Sequence, residues 1–375
     1  MRFPEFTEDW ATIRLGDYCD INMCKRIFAN QTSEIGDIPI YKIGTIGNIP
    51  DSYISKDLFE EYKHKYNYPR KGEVMITCAG TVGKAIVFNG EDSYYQDSNI
   101  VWIDNPTNKL ENMFLYYKIN CVDWSKLNST TITRIYNDDL RKLKISYPSI
   151  SEQIKITKLL QIIDDRIVTQ NKIIEDLKKL KVAIIEKVFS ENKCNCKIGD
   201  VISQISHRNR SKKETNILSV SNKWGFVEQS EQFEDRIVAS EDITNYKIVR
   251  INAFAYNPAR INVGSIARLK RYESGIVSPM YICFHSQNAL LPEYLELFFY
   301  TQYFKHEMYK RLEGSVRLCL SFEGLTNIPI FIPEITTQRE ISIKVNSIET
   351  KIGIEETYLN ALKVQKQYLL KHMFI

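Results

Sequence analysis

Two stretches decide the fold of this chain: LRKLKISYPSISEQ at residues 140–153 and LTNIPIFIPEITTQ at residues 325–338. Several of their positions carry the same residue in the same register, among them Leu140 and Leu325, Ile145 and Ile330, Pro148 and Pro333, and Gln153 and Gln338. Self-similarity on this scale indicates two copies of one structural unit. We therefore predict that the 375 residues form a tandem pair of similar modules.

A long segment without proline follows each stretch, and the two segments end in the matched pairs Val188–Phe189 and Met373–Phe374. Apolar residues recur in both segments with a period near that of a helix, which predicts amphipathic helices. Each would run roughly 35 residues, or about 50 Å at 1.5 Å per residue. Helices of this length need a partner to cover the apolar stripe, and each is predicted to pack on the other.

The heptad positions of the two segments give a predicted helix–helix interface. It consists of Ile156, Leu159, Ile163, Ile173, Leu177, Leu180, Ile184, Ile341, Ile348, Leu362 and Leu369. Four polar residues also fall at or beside the seam: Arg166, Gln170, Lys351 and Glu355. They could fix the register of the helices or lie on a solvated edge, and the sequence leaves both possibilities open.

Weaker matches run upstream of each long helix: residues 15–17 with 198–200, 71–75 with 251–255, and 81–85 with 262–266. Short β-branched and aromatic runs between turn residues predict strands in both halves, with a hairpin around residues 79–83. The fold class is therefore predicted as α+β, with two mixed α/β domains in tandem, each followed by a long helix. The predicted boundaries are residues 1–150, 151–190, 191–335 and 336–375.

Composition narrows the class of protein. With 43% hydrophobic and 26% charged residues, the chain has the composition of a globular protein. It contains no apolar run long enough for a membrane span, and the N-terminus lacks a secretion signal, so a cytoplasmic location is expected. The eight cysteines are dispersed apart from Cys194 and Cys196, which have no histidine nearby. We expect no metal site.

The net charge of +4 is small, but the basic residues are unevenly distributed. Residues 246–272 hold six basic residues and no acid until Glu273, and residues 207–213 form a second basic run. Such clusters can face a polyanion. The sequence contains no phosphate-binding loop, no dinucleotide-binding turn and no Asn/Asp-Pro-Pro-aromatic motif of adenine methyltransferases. This pattern favours a binding protein over an enzyme, and no catalytic residues are assigned.

Three features together resemble the specificity subunits of type I restriction-modification systems. They are the opening residues Trp10–Asp17, the strand-turn-strand around residues 80–84, and the Pro-x-x-x-x-Gln entry into each long helix. The resemblance covers essentially the whole chain. The second half departs from it at one position, because Cys194-Asn195-Cys196 stands where the first half has Trp10.

That resemblance implies two target recognition domains, each reading one half of a bipartite site in double-stranded DNA. It implies that the two long helices pair antiparallel, set the spacer between the half-sites and dock two methyltransferase subunits. The cofactors would lie on partner chains: S-adenosylmethionine on the methyltransferase subunits, and ATP and Mg²⁺ on a motor-nuclease subunit where one joins. No cofactor is expected on this chain, and in this family the specificity subunit is not a catalyst.

Bases are read by polar side chains on loops, and phosphates are bound by lysine and arginine. In the first domain the candidates are Lys42, Thr45, Asn48, Thr77, Thr81, Lys84, Tyr95, Gln96, Ser98 and Asn99. In the second they are Ser219, Ser221, Asn222, Lys223, Asn257, Arg260, Asn262, Arg268 and Arg317. Arg260 and Arg268 are the strongest, because they bracket a hairpin inside the acid-free run. The alternative for any of them is a turn residue that satisfies its own backbone.

Two other functions remain open from the sequence. The chain could be a helical scaffold whose heads bind protein, which sequence-dependent and salt-sensitive retention on DNA would exclude. It could also be a DNA methyltransferase or nuclease with an unrecognised site, and methyl transfer by the purified chain alone would support this alternative.

Overall fold

A computed structural model describes residues 1–107, 109–127, 134–229, 242–315 and 317–374. The chain divides into two compact units: Met1–Gln170 with Tyr358–Ile375, and Asn171–Thr357. Over the described ranges, no helix combines the length and apolar character that crossing a membrane requires. The first unit holds head 1 (residues 1–149) and the second holds head 2 (residues 191–334).

Head 1 contains two main sheets and one strand pair. In the first sheet the order is β2-β8-β5-β6, with all neighbours antiparallel: Asp20–Met23, Ile100–Asp104, Val74–Thr77 and Ala85–Val87. The second has the order β4-β3-β7: Tyr53–Ile54, Ile38–Tyr41 and Tyr94–Tyr95. In it, β3 and β7 run parallel. The strands β1 (Ala11–Arg14) and β9 (Lys144–Tyr147) pair antiparallel.

The described residues of head 1 also form three short helices: α1 (Lys56–Lys65), α2 (Asn112–Asn120) and α3 (Asn137–Lys142). Side chains fix where the first two begin, because unpaired N–H groups at a helix start need acceptors. Ser55 accepts from the N–H of Leu58 at 3.3 Å, and the Glu111 carboxylate accepts from Met113 and Phe114 at the start of α2.

Over the described residues, head 2 repeats this arrangement with one additional strand, β14 (Lys247–Arg250), at the edge of its second sheet. One sheet has the order β11-β18-β15-β16: Ile202–Ile205, Ile282–Ser286, Phe254–Tyr256 and Ile266–Arg268. The other has the order β13-β12-β17-β14: Gly225–Glu228, Ile217–Ser221, Ser274–Val277 and Lys247–Arg250. Here β12 and β17 form the parallel pair, and β10 (Cys196–Lys197) pairs with β19 (Pro329–Ile330).

The short helices of head 2 that lie within the described residues are α5 (Pro292–Phe299), α6 (Gln302–Tyr309) and α7 (Phe322–Thr326). The sequence predicts one helix across residues 293–303, and the structure has two. Thr301 explains the break: it lies between the helices in an extended conformation and accepts from the N–H of Phe304 at 3.0 Å. A threonine in this position starts a new helix.

The two long helices are α4 (Ile150–Ser190) and α8 (Ile335–Met373), and they pack antiparallel, as predicted. Within the first unit Lys366 pairs with Asp164 at 2.5 Å. Within the second, Lys178 pairs with Glu356 at 2.7 Å and Lys181 with Glu349 at 3.3 Å. The exposed pair of Lys178 and Glu356 contributes little stability, but together the three pairs define which turns of the two helices face each other. Residue 375, the last of the predicted boundary, lies outside the described residues.

The buried seam of α4 differs from the prediction at one heptad position. Two predicted residues of that position, Ile173 and Leu180, are 39% and 49% exposed, so their assignment to the interface is wrong. The seam is formed instead by the heptad position one residue further on, where the side chains are buried or half-buried: Leu160, Ile167, Ile174 and Lys181. The seam therefore alternates steps of four and three residues from Ile156. The sequence is ambiguous here because isoleucine and leucine occur at both positions.

The other predicted interface residues are buried or half-buried. Ile156, Ile163 and Leu369 lie in one cluster with Leu160 and Met373, against which Leu159 packs. The rest are Leu177, Ile184, Ile341, Ile348 and Leu362. Of the four polar seam candidates, Gln170 is 5% exposed, and Glu355 pairs with Lys351 on its own helix. Arg166 lies on the exposed face.

Two neighbouring isoleucines test this assignment directly. Ile174→Ala should lower the free energy of unfolding by about 2–4 kcal/mol, because it leaves a cavity in the seam. Ile173→Ala, the same change one residue earlier on the same helix, should cost less than about 0.5 kcal/mol. Urea unfolding followed by circular dichroism measures both, and equal losses in the two variants would contradict the corrected seam.

Matched glutamines join each head to the helix that follows it. The Gln153 side chain is fully buried, donates to the carbonyls of Lys109 and Pro148, and accepts from the N–H of Glu111. Gln338 is likewise buried, and its amide makes the same three bonds at 2.8–2.9 Å, to Ala289, Pro333 and Leu291. The repeated glutamine of the sequence therefore has one structural function in both units.

Matched phenylalanines fix the far end of each long helix within a unit. Phe189, near the end of α4, packs on Tyr294 of α5 with ring centroids 5.1 Å apart. Phe374, just after α8, packs on Phe114 of α2 at 5.2 Å. Each unit thus holds its head between the start of one long helix and the end of the other, by corresponding contacts.

Candidate nucleic-acid interface

In head 1 the predicted contact residues gather at the carboxyl ends of the parallel strands β3 and β7. Side chains that follow these strands line a cleft of about 320 Å³: Lys42, Gln96 and Asn99, together with Arg26 and Asp97. The chain there is held by backbone and side-chain bonds, since Gln96 N–H donates to Tyr41 at 2.8 Å and the Gln96 amide oxygen accepts from Ile43. The cleft is therefore a rigid, polar surface with both donors and acceptors.

The turn between β5 and β6 lies against the loop that follows β3. Lys84 donates through Nζ to the carbonyl of Ile46 at 2.6 Å, and a side chain at Gly80 would come within 2.9 Å of Ile43. Gly80 also has a positive φ of 66°, which other residues rarely adopt. This turn carries Thr81, whose side chain is exposed.

In head 2 the loops that correspond to those of head 1 also lie close to one another. Ser265, after the β15–β16 turn, donates from its hydroxyl to the carbonyl of Val220 in β12 at 3.3 Å. On the other side of the turn, Leu320 N–H donates to Pro258 at 3.1 Å, which places the 317–320 segment beside it. Three neighbouring loops thus present Asn222 and Lys223, Arg260 and Asn262, and Arg317, all exposed.

Several of the remaining candidates in both heads already form hydrogen bonds within the protein. Lys42 donates to Asp51 at 3.0 Å and Ser52 at 2.8 Å, and the Thr45 hydroxyl accepts from the N–H of Lys42. Asn48 is exposed in the same loop, while Ser98 is half-buried beside Arg134. In head 2, Ser221 is half-buried and accepts from the N–H groups of Lys223 and Trp224. Contact of these residues with DNA stays a prediction.

Burial argues against four of the predicted contacts. Tyr95 is 4% exposed, stacks on Tyr41 and shares a hydrogen bond with Ser93 at 2.9 Å, and burial raises the pKa of Tyr95 to about 12. Thr77 and Ser219 are buried within strands, at 0% and 7% exposed. Asn257 is 8% exposed and accepts from the N–H of Ala259 at 3.1 Å. It is a turn residue that satisfies its own backbone.

Arg268 has a different function from the one predicted. Its side chain is 10% exposed, pairs with Glu293 and with Glu296 at 2.9 Å, and donates to Asn252 at 2.8 Å. A guanidinium bound by two carboxylates in this way holds β16 against α5. Most of its N–H donors are already used, so few remain for a ligand. The sequence pattern misled here because both glutamates lie in a helix outside the acid-free run.

Two exposed side chains of the candidate interface were missed by sequence analysis. Trp224 is 71% exposed in the β12–β13 hairpin, with Lys223 Nζ 4.6 Å from its ring centroid. Arg26 lines the cleft of head 1 and pairs with Asp97. A tryptophan within an Asn-Lys-Trp-Gly turn is a usable signal, because tryptophan combines a large apolar ring with an N–H donor and is enriched at interfaces.

The chemistry of these surfaces is that of binding. Basic, amide and hydroxyl groups on rigid loops can bind phosphates and base edges. Among the residues that the structure describes, no three histidine, cysteine or acidic side chains are grouped closely enough to hold a metal ion. The same strand arrangement occurs in both heads with different loops at the same place, which is typical of a protein with two binding surfaces.

Comparison with known proteins finds similar sequences and a similar fold. The sequence profile of the "Type I restriction modification DNA specificity domain" matches residues 7–179. A provisionally assigned type I restriction enzyme specificity subunit of Haemophilus influenzae is 52% identical over 148 residues, which are 40% of this chain and 38% of that protein. The MjaVIII specificity subunit of Methanocaldococcus jannaschii is 24% identical over 194 residues, 51% of this chain and 44% of that protein.

The chain is therefore similar, through residues 7–179, to the family of type I restriction-modification DNA specificity domains. It spans less than half the length of the curated relatives it matches. The fold of the whole chain is that of a solved protein, the type I restriction-modification S subunit from M. genitalium, with a TM-score of 0.61 and 16% identity. That match covers 100% of this chain and 97% of the other.

Proposed function

We propose that this chain is the DNA-specificity subunit of a type I restriction-modification enzyme, in which each head reads one half of a bipartite site in double-stranded DNA. The observation that carries the proposal is the parallel strand pair of each head. Both pairs end in polar loops at the same place, yet the loop residues differ: Lys42 and Gln96 in head 1, and Asn222 and Lys223 in head 2. One frame with two different loop surfaces suits two different half-sites.

The long helices would set the spacer and dock two methyltransferase subunits. Support comes from their outer faces, which carry apolar side chains in contact with water: Ile162, Val168, Ile173 and Leu180 on α4, and Ile343, Ile354, Tyr358 and Tyr368 on α8. Exposed apolar surface along a helix pair commonly marks a protein interface. Ile173 and Leu180, which the sequence assigns to the seam, face outward instead. We propose that a methyltransferase subunit covers them.

Catalysis and cofactors would belong to the partner chains. We propose that S-adenosylmethionine binds to the methyltransferase subunits, and ATP and Mg²⁺ to a motor-nuclease subunit where one is present, with this chain contributing recognition alone. The cytoplasmic location stays a prediction from the sequence.

Arg260→Ala tests the surface of head 2. We expect specific DNA binding to weaken by roughly 1–3 kcal/mol if the guanidinium reads a guanine, with relaxed specificity at one position of one half-site. Fluorescence anisotropy with a set of single-base variants of the site measures both effects. Lys193→Ala, which removes the same charge from an exposed residue just after α4, is the control. Equal binding by wild type and Arg260→Ala across all sequences would remove Arg260 from the interface.

Binding to DNA also separates the proposal from a scaffold whose heads bind protein. The complex with the methyltransferase should retain one DNA sequence over others at moderate salt and release all of them at high salt, since phosphate contacts carry the affinity. Retention that does not depend on DNA sequence would contradict the proposed reading function.

A further inference from the structure

A second surface of head 2 lies away from the candidate interface. A cavity of about 540 Å³ opens where β14 ends and β15 begins, and His207, Arg250, Asn252 and His285 are among its lining residues. Arg250 pairs with Ser274 at the amino end of β17, whereas the predicted reading loops follow the carboxyl ends of β12 and β15. The cavity and the reading loops are therefore at opposite ends of these strands.

Head 1 has the same backbone at the corresponding place. Gly72 and Asn252 both have a positive φ, of 92° and 68°, and each donates its N–H to the neighbouring strand end at 2.8 Å. One residue later, Glu73 N–H donates to Arg70, and Ala253 N–H donates to Arg250, at 3.0 and 2.9 Å. Arg70 and Arg250 are thus equivalent residues.

In head 1, carboxylates of the protein itself fill this place. The Arg70 guanidinium is bound by Glu73 at 2.8 Å and by Asp104. A third carboxylate, that of Glu111, lies at the start of α2 and accepts from Met113 at 3.0 Å and Phe114 at 2.6 Å. These acids neutralise the arginine and satisfy the open N–H groups of the helix.

Head 2 lacks all three carboxylates. Ala253 replaces Glu73. His285 replaces Asp104, since each follows the strand partner of an equivalent residue. Leu291 replaces Glu111, as their N–H groups donate to the matched glutamines. In the described part of the chain, no acidic side chain forms an ion pair with Arg250. The place that acids fill in one head is an open, basic cavity in the other.

We propose that this cavity binds a small organic phosphate of mononucleotide size, with its phosphoryl group on Arg250 between His207 and His285. The volume lies within the range of small-molecule sites, and arginine is the side chain best suited to bind a phosphoryl group with two parallel hydrogen bonds. Ile205, Ile248 and Ile251 line the same cavity and would contact the apolar body of the ligand. The proposal does not depend on DNA reading by the loops.

Isothermal titration of the full chain, in complex with its methyltransferase if required for solubility, tests this site with AMP and adenosine as probes. We expect saturable binding of AMP, with adenosine at least tenfold weaker. Arg250→Gln should lower the AMP affinity at least tenfold, and the matched variant Arg70→Gln in head 1 should leave it unchanged. The double variant Ala253→Glu with His285→Asp installs the carboxylates of head 1 and should abolish AMP binding while the melting temperature is retained.

Three results would overturn the proposal. One is the absence of saturable AMP binding by the folded chain at millimolar concentrations. Another is AMP binding that Arg250→Gln and the double variant leave unchanged. The last is a loss of duplex DNA affinity in Arg250→Gln as large as the loss for AMP, which would make the cavity a contact for the DNA backbone.

Discussion

Insertion of three heptads into both long helices is expected to lengthen the spacer of the methylated DNA site by about nine base pairs, with both half-sites unchanged. Twenty-one added residues lengthen each helix by about 31 Å, which is close to one turn of B-DNA at about 34–36 Å. The insertions belong beside Lys178 in α4 and Glu356 in α8, because an ion pair places these residues at the same level of the pair. Whole heptads keep the apolar seam continuous.

Sequencing of methylated adenines in cells that express the variant with its methyltransferase gives the result. The control carries the same insertion in α4 alone, which leaves the two helices unequal and should abolish methylation at any bipartite site. An unchanged spacer in the double insertion, or a change within either half-site, would show that the helices do not set the spacing as proposed.

Gln153→Leu is expected to lower the free energy of unfolding of the first unit by about 3 kcal/mol. Leucine has a similar size but cannot replace three hydrogen bonds, each worth about 1 kcal/mol, and it leaves the buried carbonyls of Lys109 and Pro148 without their donor. Gln338→Leu should cost the same in the second unit, because its amide makes the corresponding three bonds.

Urea unfolding of each variant measures these losses, with Gln365→Leu on the exposed face of α8 as the control. The control should change stability by less than about 0.5 kcal/mol. Losses at Gln153 and Gln338 no larger than that of the control would mean that the glutamines do not hold the heads to their helices.

The arrangement of two heads, each followed by a long helix, could be predicted because the same sequence pattern occurs twice. Each match between the halves, such as Gln153 with Gln338 or Phe189 with Phe374, places the same contact in both units. A repeated residue with a repeated function is a strong signal in a single sequence. The break at Thr301 was missed, because its capping threonine lies within a run that is otherwise helical in pattern.

The candidate site could be predicted less well, because it depends on contacts between residues far apart in sequence. Thr77 and Ser219 resemble loop residues in type, yet the pleat of their strands turns them inward. Arg268 lies in an acid-free run, but its partner Glu296 comes from a helix 28 residues later. The open cavity at Arg250 became visible only by comparison with Arg70, whose carboxylate partners are absent from head 2.

Mapping of methylated adenines tests most directly whether the two heads read two different half-sites. The chain is expressed with its methyltransferase in a host without adenine methylation, and methylated adenines are mapped by long-read sequencing. We expect a single bipartite motif, with two different half-sites and a spacer of constant length and free sequence. Methylation at one continuous motif, or at sites with no common sequence, would contradict the proposal that each head reads one half-site.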